Sequence, residues 1–408
     1  MRLSKVVFLS LFSAISTQAA ALDFHGYFRS GAGTNNKGGD QTCFKLPGAQ
    51  SDYRLGNECE TYGNLKLGER IHEADDGSWF RVQTQFAFES AGEKDFEDYS
   101  TAMREVFAEG GGLLGGHWKE TRFWIGKRLL RQDVYMTDFF YWDNSGVGGG
   151  FDNLNFDTYK LSYSLIQNIK DGFNDSTGTV TVNDGSDRAI TTHDLRFYDI
   201  NSNPDGKLTI GLAAITASNS RNGKGTDGWQ LHLLHQQKPL AGGFNRLILQ
   251  YGKGAGASLG KNPDDTADSG DASWRLVEQI SFESGDEWAG QATFVYENQV
   301  DKQQWISYGI RPIYHFTDHF NIALELGHDR VDPETGETLE LTKLTIAPQL
   351  AAGRGFFSRP VLRLFITYAS WNEAARDAAS SPVAGGTAGV FGEDTQGLTY
   401  GLQVESWW

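Results

Sequence analysis

The sequence predicts an all-β protein, a transmembrane antiparallel β-barrel, and three observations support this fold class. The chain begins with an export signal, apolar residues recur at every second position in many later segments, and glycine and aromatic residues are abundant. A period of two is typical of a strand with one apolar and one polar face. A barrel uses such strands to separate lipid from a polar lumen.

The N-terminal segment has the features of a secretory signal peptide. Arg2 and Lys5 precede the apolar run 6–15, and residues 19–21 offer a small-residue cleavage site. An uncleaved helical anchor is disfavoured because the run is too short to cross a bilayer and polar residues follow it at once. We therefore expect residues 1–21 to be a signal peptide and residues 22–408 to form a single barrel domain.

Composition is compatible with a barrel although the chain is polar on average. The mean hydropathy is −0.44, as expected when only alternate strand residues face lipid. The 49 Gly, 26 Phe, 15 Tyr and 11 Trp suit many strands, glycine-rich turns and interfacial aromatic belts. A secreted β-rich binding protein would share much of this composition. The net charge of −16 argues against nucleic acid as a partner.

Alternation is clearest in residues 208–214 and 320–327, where the even-numbered positions are mostly large and apolar. Turn-forming residues fill the tracts 201–207, 258–273 and 332–336. At roughly ten residues per tilted strand plus connections, residues 22–408 hold about 16 to 18 strands. A barrel of that size leaves an aqueous channel.

The alternation also places several aromatic residues on the lumen side. By parity with polar neighbours these are Tyr27, Tyr62, Phe244, Trp371 and Trp407, whereas Trp408 faces lipid. Exposed rings do not benefit a water-filled pore unless the solute has an apolar side. The alternative is that the rings pack against a loop folded into the lumen.

The two cysteines of the chain, Cys43 and Cys59, are separated by 15 residues. An even count in an exported protein favours a disulfide that closes one loop. A metal site is the poorer alternative because two lone cysteines do not form a four-ligand shell. The sequence indicates no cofactor.

Six blocks of sequence resemble the maltoporins, the maltodextrin-specific porin family of bacterial outer membranes. The blocks are residues 23–31, 48–62, 124–128, 138–143, 310–312 and 407–408. The resemblance implies an 18-stranded barrel, a homotrimer, and a third loop folded inward to constrict each pore. It implies facilitated diffusion of maltose and maltodextrins, together with ions. The implied partners are these sugars, further copies of the chain, outer-membrane lipid and lipopolysaccharide.

The same resemblance implies the residues of a sugar path. An aromatic slide would comprise Tyr27, Tyr62, Phe244, Trp371 and Trp407, with Phe96 contributed by a neighbouring subunit. The charged residues implied beside it are Arg29, Arg54, Arg104, Arg131, Asp133 and Asp138. A pyranose ring has an apolar face that stacks on aromatic rings and a rim of hydroxyls that arginines and carboxylates can bind. These charges can also form a structural ion-pair network across the constriction.

Four residues depart from the family pattern. Phe96 stands in place of a tryptophan at the start of the slide, and Asn64 in place of a glutamate. In the constriction, Tyr135 stands where a histidine is usual and Phe140 where a tyrosine is usual. These departures predict a constriction that is less polar on one side, and they leave the preferred sugar open.

Three other functions compete with a maltodextrin porin. A general diffusion porin or a porin for another oligosaccharide would share the barrel. A periplasmic carbohydrate enzyme would share the signal peptide and the aromatic content. We expect no enzymatic activity, because the sequence lacks a His-Glu-x-x-His zinc motif, a Gly-x-Ser-x-Gly elbow and a complete phosphate-binding loop near Gly260.

Overall fold

The computed structural model describes residues 22–91, 98–169, 173–174, 179–180, 189–217, 225–260, 263–264, 266–379 and 389–408. The proposed signal peptide and Phe96 lie outside these residues. The described chain forms a closed barrel of 18 antiparallel strands and two small two-stranded sheets. The predicted fold class is therefore confirmed.

The first half of the barrel contains the strands β1 (Asp23–Asn35), β2 (Thr61–Glu73), β3 (Trp79–Ser90), β4 (Tyr99–Gly111), β5 (Arg122–Arg128), β8 (Gly146–Asn155), β9 (Lys160–Ile169), β12 (Ala189–Asn203) and β13 (Gly206–Ala217). The small sheets are formed by β6 (Arg131–Val134) with β7 (Phe139–Asp143), and by β10 (Phe173–Asn174) with β11 (Thr179–Val180).

The second half contains the strands β14 (Gly228–Leu240), β15 (Gly243–Lys253), β16 (Ala272–Ser284), β17 (Trp288–Gln299), β18 (Gln303–His315), β19 (Phe320–Pro333), β20 (Leu339–Ala351), β21 (Val361–Trp371) and β22 (Gln396–Trp407). One α-helix, α1 (Glu373–Ala378), and three 3-10 turns, Gly116–Trp118, Tyr135–Thr137 and Gly254–Gly256, complete the described elements. None of the helices in the described part of the chain is long and apolar enough to cross a membrane.

Alternation of side chains explains why these segments pair as barrel strands. On β21, Leu364 is 60% exposed on the outer face and Phe365 is 2% exposed on the inner face. The same two-residue pattern continues along the strand, so its outer face is an apolar row from Leu362 to Tyr368, with Ser370 at the end. Such a row is stable in lipid, and the inner face is free to carry polar groups.

The barrel closes where β22 pairs with β1, with Tyr27 opposite Trp407. Trp408 exchanges backbone hydrogen bonds of 3.1 and 3.2 Å with Gly26. Its ring packs on the outer face against Phe24 and Phe28, at centroid distances of 5.7 and 6.2 Å. Gly26 is needed here because an added Cβ would overlap the Trp408 ring.

Two long connections fold into the lumen, which we call loop A (residues 36–60) and loop B (residues 129–145). In loop A the disulfide between Cys43 and Cys59 is confirmed, with the two Cα atoms 5.9 Å apart. The Tyr53 ring lies against Gly309 and Gly327, and its hydroxyl is 2.9 Å from the Ser307 hydroxyl. Loop A therefore crosses from β1 and β2 to the wall formed by β18 and β19.

Loop B enters the lumen as the hairpin β6–β7. Trp142 is sandwiched between the His232 ring, stacked at 4.3 Å, and the Arg196 guanidinium at 4.1 Å. Backbone hydrogen bonds join the two loops, from Asp52 to Thr137 at 2.9 Å and from Arg54 to Met136 at 3.2 Å. The inward fold implied for the third loop is thus observed, and loop A is a second inward segment that the sequence did not predict.

Replacing Gly327 by alanine is expected to displace loop A. The new Cβ would overlap the buried Tyr53 ring, and overpacking of this kind costs about 1–3 kcal/mol. We expect a lower unfolding temperature and a larger single-channel conductance, measured by circular dichroism and planar-bilayer recording. Gly353→Ala is the matched control, because its Cβ would meet only the Ser358 hydroxyl at 3.5 Å. Unchanged stability and conductance in Gly327→Ala would contradict the docking of loop A.

Candidate functional site

Three of the predicted slide residues form a continuous aromatic surface in the lumen. The Tyr27 ring is 5.9 Å from the Tyr62 ring and 6.4 Å from the Trp407 ring, nearly parallel to the latter at 18°. They lie together because β1 pairs with β2 on one side and with β22 on the other, which places inward residues of three strands side by side. All three rings are half-buried, so each offers part of its surface to the lumen.

The other described slide residues lie elsewhere. Trp371 is only 4% exposed, because Phe44 of loop A and Phe391 cover it at centroid distances of 5.8 and 5.6 Å. Phe244 lies on β15, where the Arg246 guanidinium covers one face at 4.6 Å. We call Tyr27, Tyr62 and Trp407 the open group. The rings of Trp371 and Phe244 are covered by other side chains.

Arg29 and Arg54 belong to an ion-pair network around the open group. Arg54 forms salt bridges with Glu58 at 2.6 Å and Glu405 at 3.3 Å, and it donates a hydrogen bond to the Tyr27 hydroxyl at 2.6 Å. Arg29 is 3.3 Å from Glu58. Burial opposes the charge of Arg54, but Glu58 and Glu405 outweigh it and hold the pKa of this guanidinium well above its ordinary value. Arg54 therefore stays charged, and both arginines are already engaged by carboxylates.

Arg104 and Arg131 are placed differently. Arg104 donates to the Tyr62 hydroxyl at 3.0 Å, and the Arg131 guanidinium lies over the Phe140 ring at 4.3 Å. Among the described residues neither has a carboxylate oxygen within 4.0 Å. Burial lowers the pKa of Arg131, and the positive charge of Arg104 lowers it further. Within the described part of the chain, a ligand could therefore bind these two cations without displacing a carboxylate.

The two predicted carboxylates lie on either side of loop B. Asp133 lines a cavity of about 390 Å³ together with Arg131 and Arg246. Asp138, in the left-handed conformation with φ 50°, lines a smaller cavity of about 140 Å³ with Arg29 and Arg54. Burial raises the pKa of Asp133, which is in loop B and outside the spanning strands, and the neighbouring Asp138 raises it further.

Tyr135 of loop B lies against the aromatic group formed by Tyr27, Tyr62 and Trp407. Its hydroxyl lies 2.7 and 2.6 Å from the two carboxylate oxygens of Glu405 and also accepts a hydrogen bond from Arg359. Its ring meets Trp407 edge-on at 5.7 Å, and the Arg359 guanidinium lies over the same indole at 4.2 Å. The hydrogen bonds with Glu405 and Arg359 therefore occupy the Tyr135 hydroxyl. Phe140 has no hydroxyl, and its ring lies beneath Arg131.

Several residues at the site were not identified from the sequence. Glu405 shares the inward parity of Trp407, so alternation could have drawn attention to it. Glu58, Phe44 and Phe391 lie in loops without a period, and Arg359 lies in the connection 352–360, which had no feature beyond that of a turn. Within the described residues, no group of three or more His, Cys, Asp or Glu side chains could hold a metal ion.

The raised pKa of Asp133 predicts a pH-dependent ion preference. As the pH falls from 7 to 4, this carboxylate should become neutral before carboxylates of ordinary pKa, so the cation-over-anion permeability ratio should fall early in the titration. Reversal potentials under a KCl gradient would measure the ratio. Asp133→Asn should lower the ratio at pH 7 and remove the early part of its change. Asp75→Asn, at an exposed turn, should leave the profile intact, and a wild-type profile in Asp133→Asn would contradict the assignment.

Solved structures with the same fold have low sequence identity to this chain. Acinetobacter baumannii OccAB1 matches with a TM-score of 0.54 and 9% identity, over 95% of this chain and 96% of that one. Pseudomonas aeruginosa OccK2 (OpdF) gives a TM-score of 0.53 and 11% identity, over 95% and 97%. Acinetobacter baumannii OccAB2 gives 0.52 and 10%, over 95% and 98%. At these identities the likeness concerns the fold alone.

A family model described as LamB porin matches residues 22–408. This finding corrects the recognition made from the six sequence blocks, which named the maltodextrin-specific maltoporins: the match supports the LamB porin family and carries no maltodextrin specificity. With the closed 18-stranded barrel, it also excludes the enzymatic alternative and establishes a channel. The chain therefore belongs to the LamB porin family and is a sugar porin of the bacterial outer membrane.

Proposed function

We propose that this porin conducts maltose and maltodextrins by facilitated diffusion and that it assembles as a homotrimer. Residues 1–21 would be removed on export, and residues 22–408 would form the mature barrel domain. The observation that carries the proposal is the aromatic surface of Tyr27, Tyr62 and Trp407, whose rings lie 5.9 and 6.4 Å apart along the lumen wall. A general diffusion pore has no physical need for such a surface.

The geometry suits a chain of pyranose rings. Each sugar has an apolar face that can lie on an aromatic ring, and successive sugars can move from one ring to the next. Individual contacts should be weak, and this is useful because conduction requires several modest sites that a solute can leave as well as enter. Adjacent rings on β1, β2 and β22 provide such a series.

The charged residues divide into two proposed roles. Arg29 and Arg54 hold Glu58 and fix the width of the constriction, since their donors are engaged in salt bridges. The groups proposed to bind sugar hydroxyls directly are Arg104, Arg131, Asp133 and Asp138. Hydrogen bonds from charged groups are about twice as strong as neutral ones and can replace the water that a sugar loses on entering.

Trp371 takes part in the proposed path only when one of the two rings that cover it, Phe391 or Phe44, leaves part of its surface open. In the described arrangement these two side chains close the proposed sugar path at Trp371. Phe244 and, from a neighbouring subunit, Phe96 would complete the path. The competing function is a porin specific for another oligosaccharide, and the current through such a porin would not be blocked by maltotriose.

Trp407→Ala is expected to weaken block of the ion current by maltotriose, because it removes one of the three stacked rings. Loss of one base–aromatic stack is worth about 1–3 kcal/mol, and with a value near the lower end of this range for a sugar ring the half-blocking concentration should rise roughly tenfold. Planar-bilayer recording measures this value. Trp408→Ala is the control, since its ring lies 45% exposed on the outer face and should affect assembly yield only. Equal loss of block in both variants, or no block by maltotriose in the wild type, would contradict the proposal.

Phe391→Ala is expected to have the opposite effect on sugar affinity. Removing this ring uncovers Trp371, which then offers an additional stacking surface. Maltotriose should block at a lower concentration than in the wild type, in the same recordings. Val390→Ala changes the adjacent, exposed side chain and should leave block unchanged. Weaker block in Phe391→Ala would show that Phe391 itself belongs to the sugar path.

A further inference from the structure

A polar cavity of about 390 Å³ lies beside loop B, towards the short turns that join β12 to β13 and β14 to β15. It is lined by β6, by the end of β12 and by β13, β14 and β15. The lining residues that carry charge are Arg131, Asp133, Asp199, Lys207 and Arg246. Its volume is within the roughly 300–1,000 Å³ of small-molecule sites.

The charges of this cavity do not balance. Asp199 forms a salt bridge with Lys160 at 3.3 Å, which leaves Asp133 as the one lining carboxylate without a salt bridge among the described residues. Lys207 donates to the Asn201 side chain at 2.6 Å, and Arg246 donates to Gln236 at 2.8 Å. Both of these acceptors are neutral. Among the lining residues, three cations therefore face one carboxylate without a salt bridge, and beyond the lining the negative charge of Asp143 also acts on Arg131.

Arg131 and Arg246 are half-buried, and the fully buried arginines of the lumen differ from them in being paired with carboxylates. Arg275 is 2.6 Å from Glu297, and Arg363 is 3.1 Å from Glu405. Arg104, whose positive charge acts on Arg131, is also without a carboxylate partner among the described residues. In a chain of net charge −16, a local excess of positive charge at the narrow part of the pore needs a specific reason.

We propose that this cavity is a subsite for an anionic group, a carboxylate or a phosphate, carried by an oligosaccharide. The proposal rests on the proposed sugar path and extends it, because Phe244 lies directly under Arg246 and offers a stacking face beside the cations. A guanidinium binds carboxylate or phosphate with two parallel hydrogen bonds, which a sugar hydroxyl cannot match. The substrate class would thus include acidic derivatives of maltodextrins as well as neutral ones.

The test compares three probes of equal length in planar-bilayer recordings of the wild-type porin: maltotriose, its neutral reduced form maltotriitol, and its carboxylate form maltotrionate. Maltotrionate should block at a concentration about tenfold lower than maltotriitol, as expected for a hydrogen bond to a charged group. The difference should shrink at high salt. Equal block by maltotrionate and maltotriitol would overturn this inference while leaving the neutral sugar path standing. Block by maltotrionate with none by maltotriose would instead overturn the proposed function.

Variants locate the preference in the cavity. Arg246→Gln and Arg131→Gln should each remove most of the difference between maltotrionate and maltotriitol. Arg330→Gln is the matched control: it removes the same charge from a residue that is paired with Asp332 at 2.8 Å on β19, and it should keep the difference. Persistence of the full difference in both cavity variants would overturn the proposal. Comparing glucose 6-phosphate with glucose in the same recordings distinguishes phosphate from carboxylate as the accepted group.

Discussion

The carboxylate of Glu405 is the interaction on which the interior of this barrel depends. Within 3.3 Å it meets Arg54 of loop A, Tyr135 of loop B, Arg359 of the connection 352–360 and Arg363 of β21. Leaving a buried charge without its partners typically costs about 3–5 kcal/mol. The four segments are therefore stable in the lumen only together, and the pore has one narrow geometry instead of several.

This geometry separates two kinds of side chain that look alike in the sequence. Arginines that surround Glu58 and Glu405 fix the shape of the pore, whereas Arg104 and Arg131 remain available to a solute. The aromatic residues divide in the same way. Tyr27 and Tyr62 face open space, while Trp371 is covered by side chains from two different loops. Residue type and strand parity alone cannot make this distinction.

The barrel could be predicted because its physics is local and periodic. In a strand between lipid and a lumen, successive side chains must point alternately outward and inward. The exposed Leu364 and the buried Phe365 show this alternation. The side on which Trp407 and Trp408 lie follows from the same rule. The cover over Trp371 and the contact of Arg359 with Trp407 could not be predicted, because they join loops that are distant in sequence and have no period. The resemblance of sequence blocks identified a porin, but it named the substrate more narrowly than the LamB porin match supports.

The two inward loops also have a mechanical role. Loop A is held to β19 through the Leu55 amide, which donates to Glu325 at 3.0 Å, and loop B is held to β18 because its Met136 carbonyl accepts from Arg311, 3.1 Å away. Loop B, which leaves the wall between β5 and β8, is thus a strut between opposite parts of a wide cylinder, and loop A supports it from one side. A hollow barrel flattens easily under lateral pressure, but one braced across its diameter keeps a nearly round section. The width available to a solute is then set by the protein and not by the tension of the surrounding bilayer.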